Sequence, residues 1–262
     1  MAKKVNIVYI VGHGSIWQNN ELRFSLRSIA QFGRNIGRVI IVGEMPPFVN
    51  PKTVTHVPCK DETDCKHYNI MMKINAAIDK LGLKDPFLIS SDDHFLTRVT
   101  DFAKYPIISK GVLDAEDNSK GEYFRSLNQT RKWLKERGMS IYKTNPHYNT
   151  WIDPVTFKQL LPALKEARMT TCPDGLEINC VMGNALIAQG WTFETWKDCK
   201  VQNPHPLPWW QERFKDPSRH AMSIGDNALT RYFAKFMLDT FPNQCCYEQS
   251  GITLQRLFNP YA

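Results

Sequence analysis

Apolar and polar positions follow two rhythms along the first part of the chain. Short apolar runs, "VNIVYIV" (Val5–Val11), "RVIIV" (Arg38–Val42), "TVTHV" (Thr53–Val57) and "FLIS" (Phe87–Ser90), read as buried strands. Between them Leu22, Leu26 and Ile29 recur at helical spacing within Glu21–Phe32, and Ile70, Ile74, Ala77, Ile78 and Leu81 do so within His67–Leu81. Strands alternating with helices predict an α/β fold, a mainly parallel sheet with crossover helices. Such sheets bind ligands beyond the carboxyl ends of their strands. "GHGSIWQNN", "GEMPP" and "SDDH" each follow a strand and are expected to line one rim.

The pattern loosens afterwards. Ser119–Gly138 reads as a basic helix, Asp153–Arg168 as an amphipathic helix behind an Asp-Pro start, and Glu177–Gln189 as a helix of small and apolar residues. Cys199–His220 reads as a long loop, and Asn227–Leu238 as the last strong helix. No repeat, low-complexity tract or linker interrupts residues 1–262, which predicts one continuous domain.

Composition narrows the classes. The 262 residues are 42% hydrophobic and 23% charged, as in a soluble globular protein, with no apolar run that reaches the ~20 residues of a membrane span. The opening "MAKKVNIVYIVG" has too short an apolar run for a signal peptide and reads as a first strand. Seven cysteines without metal-ligand spacing point to reduced thiols in a cytoplasm. A net charge of +7 favours a polyanionic partner, nucleic acid or a nucleotide diphosphate.

The chemistry concentrates in "PFLISSDDHFL". Asp92 and Asp93 close an apolar strand, where paired carboxylates suit a Mg²⁺ or Mn²⁺ ion bridging a diphosphate. On an extended chain they point opposite ways, one to the metal and the other to ribose or sugar. The plain alternative is a loop start with Asx turns. His94 is a third ligand, an outer partner or a packed imidazole.

An Asp-Asp pair closing the fourth strand of an α/β half resembles the DXD-type motif of GT-A glycosyltransferases. With "NNELRFSLRSI" (Asn19–Ile29), "FLISSDDHFL" resembles the phage and prophage glycosyltransferases associated with TET-like dioxygenases. It is similar, more distantly, to the Stealth family of sugar-phosphate transferases. The first family is echoed in "LNQTRKWLKERG", "NPHYNTWIDPVTFKQLLP", "SIGDNAL" and "FPNQCCYE", whereas "PHPLPWWQERFKDPSRH" has no match. The resemblance implies a GT-A-like fold, with a nucleotide-sugar half over residues 1–100 and a mixed acceptor half over 101–262. It implies a nucleotide-sugar donor, a UDP-sugar foremost, and a divalent metal held by Asp92, Asp93 and His94. It places Gly12, His13 and Gly14 beside the nucleotide. Asn20, Arg23 and Arg27 come to the donor as a polar and guanidinium grip, or lie on a solvated helix face. Asn69 and Lys73 stand one turn apart near the rim, where Lys73 neutralises the diphosphate or is an ordinary exposed lysine.

An inverting transferase needs a general base at the attacking hydroxyl. Asp226 and His147 are the candidates, with Asp174 and Glu177 behind them; Asp226 is otherwise a helix cap and Asp174 a turn residue. His220 is a possible late addition to the metal shell. The family's acceptor, 5-hydroxymethylpyrimidine in DNA, would unite transfer with the positive charge. Arg131, Trp209 and Trp210 would then hold the DNA. A glycan acceptor and Stealth-like phosphotransfer are the enzymatic alternatives. A nucleic-acid-binding module without chemistry is the other, using Arg125, Arg131, Lys132, Lys135 and Arg137 with the tryptophan pair near Arg213 and Lys215.

Overall fold

The structure is a computed structural model and describes residues 3–13, 15–144, 147–170 and 175–251. Its main elements are β1 (Val5–Val11), α1 (Asn20–Phe32), β2 (Ile36–Gly43), β3 (Val54–Val57), α2 (Lys66–Leu81), β4 (Phe87–Ser90) and β5 (His94–Leu96). There follow α3 (Glu122–Glu136), β6 (Thr150–Ile152), α4 (Pro154–Thr170), α5 (Ile178–Ala188), β7 (Lys200–Val201), α6 (Leu207–Lys215), β8 (Ala221–Ile224) and α7 (Arg231–Thr240).

The main sheet has the order β3-β2-β1-β4-β6 and is parallel except for β6, which runs antiparallel to β4. Alternation along each strand sorts side chains between two faces. Val8, Ile40 and Val42 pack with Met71, Ile74, Ala77 and Ile78 of α2. Ile7, Tyr9, Val11, Val39 and Ile41 pack with Leu22, Leu26 and Ile29 of α1. The two helices therefore cover opposite faces.

A smaller sheet, β7-β8-β5, stands beside the first. With α6, α7 and the outer side of α1 it encloses a third core containing Phe24, Phe95, Trp210, Met222 and Phe233. Hence α1 is covered all round, and every residue from Asn20 to Ile29 is buried. The expectation of an exposed arginine face on α1 is wrong for this reason. Several pairings join residues on either side of residue 100: β6 enters the main sheet, β5 pairs with β8, and Val49 bridges Glu248.

Two further expectations need correction. Cys199–His220 is not a loop throughout, because it contains β7 and α6, with Pro206 and Pro208 at the helix start. Proline is favoured in the first helical turn, where its missing N–H removes no bond. The last helix begins at Arg231 rather than Asn227, behind a short 3₁₀ turn, Asp226–Ala228.

Candidate active site

In the order β3-β2-β1-β4, the chain leaves β1 for one side of the sheet and later returns on the other. The crevice between the carboxyl ends of β1 and β4 is thus a topological switch point, where open α/β sheets bind ligands. A cleft of about 880 Å³ opens there. Gly12 and His13 line it after β1, Asp61, Thr63 and Asp64 after β3, and Ser91, Asp92 and Asp93 after β4. The expected middle segment, "GEMPP", does not line it; Glu44 reaches the rim only by holding the His13 Nδ1 at 2.9 Å.

Asp92 and Asp93 sit in a turn between β4 and β5, not on extended chain. Helix α1 fixes that turn. Ser25 donates to the His94 carbonyl oxygen, and Ser28 Oγ accepts from the Leu96 amide at 3.0 Å. The two carboxylates then meet different surroundings. Asp93 Oδ2 accepts from Lys200 Nζ at 2.6 Å and from Ser223 Oγ at 2.8 Å, and its Oδ1 lies 3.7 Å from His94 Nε2. Burial opposes ionisation there, but His94, Lys200 and Ser223 together hold the carboxyl down to about 2. Asp92 has no such partner among the described residues. Burial, then repulsion from Asp93 and Glu21, push it up to about 7 against a weaker pull from Lys66. Burial brings the His94 imidazole down to about 4 against the attraction of Asp93, so it is neutral at pH 7.

The loop after β3 is folded by residues expected at the donor. Asn69 Oδ1 accepts from the amides of Glu62 (3.1 Å) and Thr63 (3.2 Å), and its Nδ2 donates to the Thr63 oxygen (2.6 Å). Lys73 Nζ bridges Asp61 Oδ1 at 2.6 Å and the Val11 carbonyl at 3.1 Å. Both line the cleft, but Lys73 is already neutralised by Asp61. Gly43 permits this junction: its φ is +116°, and a Cβ there would lie 2.0 Å from the Val11 oxygen. At Gly12 an added Cβ meets nothing within 4 Å, so the backbone there is open to a ligand.

No family model matches this chain, and no curated protein matches it.

Arg23 and Arg27 do not reach the cleft. They are buried against Glu248, with Arg27 Nε and Nη2 at 2.6 and 2.9 Å from its carboxylate oxygens and Arg23 Nη1 at 3.5 Å. Asn20 is also buried and donates to the Trp17 carbonyl at 2.8 Å. His147 does not line the cleft either; its Nδ1 lies 2.9 Å from Asp198 Oδ1, in an ion cluster with Lys110. His220 stacks on Trp196 at 4.1 Å instead of joining a metal shell. Glu177 is buried and caps α5 by accepting from the Cys180 amide at 2.8 Å. Gly14 and Asp174 lie outside the described residues.

The expected acceptor set is dispersed. Trp210 is fully buried in the third core and donates to the His205 carbonyl at 3.1 Å. Trp209 is half-buried between the His205 ring, 3.6 Å away, and the Arg213 guanidinium, 5.2 Å away. Arg131 belongs to α3, whose Leu127, Trp133 and Leu134 enter the first core. None of the three lines the cleft.

Asp226 does line it, exposed at its outer wall. It is not the cap of α7, because Thr230 Oγ1 accepts from the Phe233 amide. Thr230→Ala should therefore lower stability by about 1 kcal/mol in urea unfolding, the usual worth of such a cap, and Asp226→Asn should leave it unchanged. The reverse ranking would make Asp226 a structural residue. Sequence reasoning missed Glu21, Lys200 and Lys66, all of which line the cleft; only Glu21 carried a signal, its place inside "NNELRFSLRSI".

Among the described residues no group of three or more His, Cys, Asp or Glu side chains is arranged to hold a metal ion. Asp92, Asp93 and His94 are therefore not a ready ligand triad, since Asp93 is engaged by Lys200, Ser223 and His94. An uncompensated Asp92 still suits a hard cation, which commonly takes one or two carboxylates and completes its shell with phosphates and water.

Proposed function

We propose that the chain is a metal-dependent glycosyltransferase of GT-A type. It moves a sugar from a nucleotide-sugar, a UDP-sugar foremost, to a hydroxyl of 5-hydroxymethylpyrimidine in DNA, in the cytoplasm of a phage-infected cell. The observation that carries the reading is Asp92: a carboxylate pushed up to about 7, with no ion pair among the described residues and only a weak pull from Lys66, at the switch point of a mainly parallel sheet and facing a cleft of about 880 Å³. That volume lies in the range of ligand pockets, ~300–1,000 Å³.

Asp92 would hold Mn²⁺ or Mg²⁺ jointly with the donor phosphates. The ion, when bound, supplies Lewis-acid stabilisation of the departing diphosphate. The chain's own residues do the rest. Gly12 leaves room for the nucleotide against the end of β1, and the Asn69-folded loop walls the cleft opposite. Lys200 and Ser223 fix Asp93, and thereby the turn that aims Asp92. Asp226, exposed on the cleft, would accept the proton of the attacking hydroxyl. The net charge of +7, in a protein whose cleft gathers carboxylates, supports a polyanionic acceptor approaching outside the cleft.

The test is incubation with Mn²⁺, a panel of nucleotide sugars and 5-hydroxymethylcytosine DNA, with a free glycan in parallel, followed by mass analysis of digested nucleosides. A hexose added to the modified base and release of nucleoside diphosphate are expected. Release of nucleoside monophosphate would mean sugar-phosphate transfer. Transfer to the glycan alone would remove DNA as acceptor, and salt-dependent DNA binding with no turnover would leave a binding module.

A further inference from the structure

Glu21 stands in the first turn of α1, lines the cleft and is 8% exposed. A hydrogen bond from Ser15 supports its carboxylate. Ser15 Oγ already accepts from the amides of Trp17 (3.2 Å) and Asn19 (2.7 Å), so its own proton is left for Glu21. The carboxylate oxygen Oε2 is buried and has no hydrogen-bond partner among the described residues. An unpaired buried polar atom is costly and rare, and calls for a partner not yet counted. The charged neighbours acting on Glu21 are themselves carboxylates, Asp93 and Asp226, and Glu21 in turn repels Asp92.

Glu21 and Asp92 thus bring unneutralised carboxylates to one cleft. Asp93 differs, because Lys200, Ser223 and His94 occupy it. Asp226 differs too, because it is exposed. We propose that Glu21 and Asp92 are the protein's ligands for the divalent cation, while Asp93 is a positioning residue pinned by Lys200 and His94 stays outside the shell. A cation between Glu21 and Asp92 cancels their repulsion and gives the Glu21 Oε2 its missing partner. The remaining positions of a Mg²⁺- or Mn²⁺-like shell stay open for phosphate and water. This inference rests on the metal-dependent reading above and adds a ligand from a helix that precedes the Asp pair by some seventy residues.

The experiment is a Mn²⁺ titration of the 262-residue chain followed by electron paramagnetic resonance of the free ion, with and without UDP. Wild type, Glu21→Gln, Asp92→Asn and Asp226→Asn are compared. Partners that merely orient a metal ligand are worth about 10–100-fold in affinity, so loss of a ligand should weaken Mn²⁺ at least about tenfold. That loss is expected in Glu21→Gln and Asp92→Asn, and less than about threefold in Asp226→Asn. Glu21→Gln removes a charge that nothing neutralises, so its metal-free melting temperature should not fall, and Mn²⁺ should raise it less than in wild type. Full Mn²⁺ affinity in Glu21→Gln, with loss in Asp92→Asn, would overturn the inference and leave the transferase reading standing. No Mn²⁺ binding by wild type would overturn it as well, and sugar transfer in EDTA would then separate a metal-free transferase from no transferase. Mn²⁺ binding through Glu21 and Asp92 without any sugar transfer would keep the metal site and remove the proposed reaction.

Discussion

Asp92→Asn should lower sugar transfer by more than about a hundredfold, because groups that only support a metal ligand already account for about 10–100-fold. The fold should survive, since the change removes a charge and no volume. Wild type should also show a proton competing at this carboxylate. Asp92 is pushed up to about 7, chiefly by burial and then by Asp93 and Glu21. Binding of Mn²⁺ with UDP should therefore weaken as pH falls below about 7, by up to tenfold per unit, and level off above it. Stability of the metal-free protein runs the other way. An aspartate ordinarily titrates near 3.8, so the folded state binds the proton more tightly and loses stability as pH rises from there to about 7. Asp93, held down to about 2, has the opposite linkage: its contribution is present above the ordinary aspartate range and fades as pH falls through about 2. Calorimetry of Mn²⁺ and UDP binding from pH 5 to 8 checks the first trend, and melting curves without metal check the second. A flat binding profile in wild type, or an unchanged one in Asp92→Asn, would remove Asp92 from the site.

How much of this was legible in the sequence depends on how local the cause is. Val5–Val11 and Phe87–Ser90 were readable to the residue because their unbroken apolar runs, Ile7–Val11 and Phe87–Ile89, leave little choice. β5, β6 and β8 were not, since strands of three or four residues without such an unbroken apolar run have no measurable period. α6 hid behind its prolines, although Pro206 and Pro208 mark a helix start once Trp210 and Phe214 are seen on one side of it. At the site, the Asp pair was visible as an anomaly at the end of an apolar strand. What distinguishes Asp92 from Asp93 was not, because Lys200 and Ser223 lie 107 and 130 positions away from Asp93. The segment "NNELRFSLRSI" shows the same division. Its serines hold β5, its arginines meet Glu248, and Glu21 alone enters the cleft. A charge pattern displays arginines but not their burial, so a structural clamp was read as a phosphate grip.

That clamp gives the largest stability effect expected outside the cleft. Arg27 and Glu248 meet through paired bonds of 2.6 and 2.9 Å, and Arg27 Nη1 donates to the Phe241 carbonyl at 2.7 Å. Glu248 also accepts from the Cys245 amide at 3.1 Å, and the Arg23 guanidinium lies 4.3 Å from the centre of the Phe48 ring. The arrangement ties the end of the described chain to α1 and to the loop before β3, where Asn50 N donates to Tyr247 O at 2.8 Å and Gln249 N to Phe48 O at 2.7 Å. Removing one member of a buried ion pair leaves the other charged and unsolvated, which costs about 3–5 kcal/mol. Glu248→Ala should lose about that much in urea unfolding, and more than Arg27→Ala, because it takes the carboxylate from two buried guanidinium groups, whereas Arg27→Ala leaves Glu248 beside Arg23. Arg27→Met with Glu248→Leu should recover part of the loss, since no carboxylate is then stranded. Nucleotide affinity of the folded protein should stay within about twofold in each variant. Arg27→Ala with undiminished stability and nucleotide binding weakened by about ten- to a hundredfold, the worth of a charge-assisted hydrogen bond, would return this arginine to the donor.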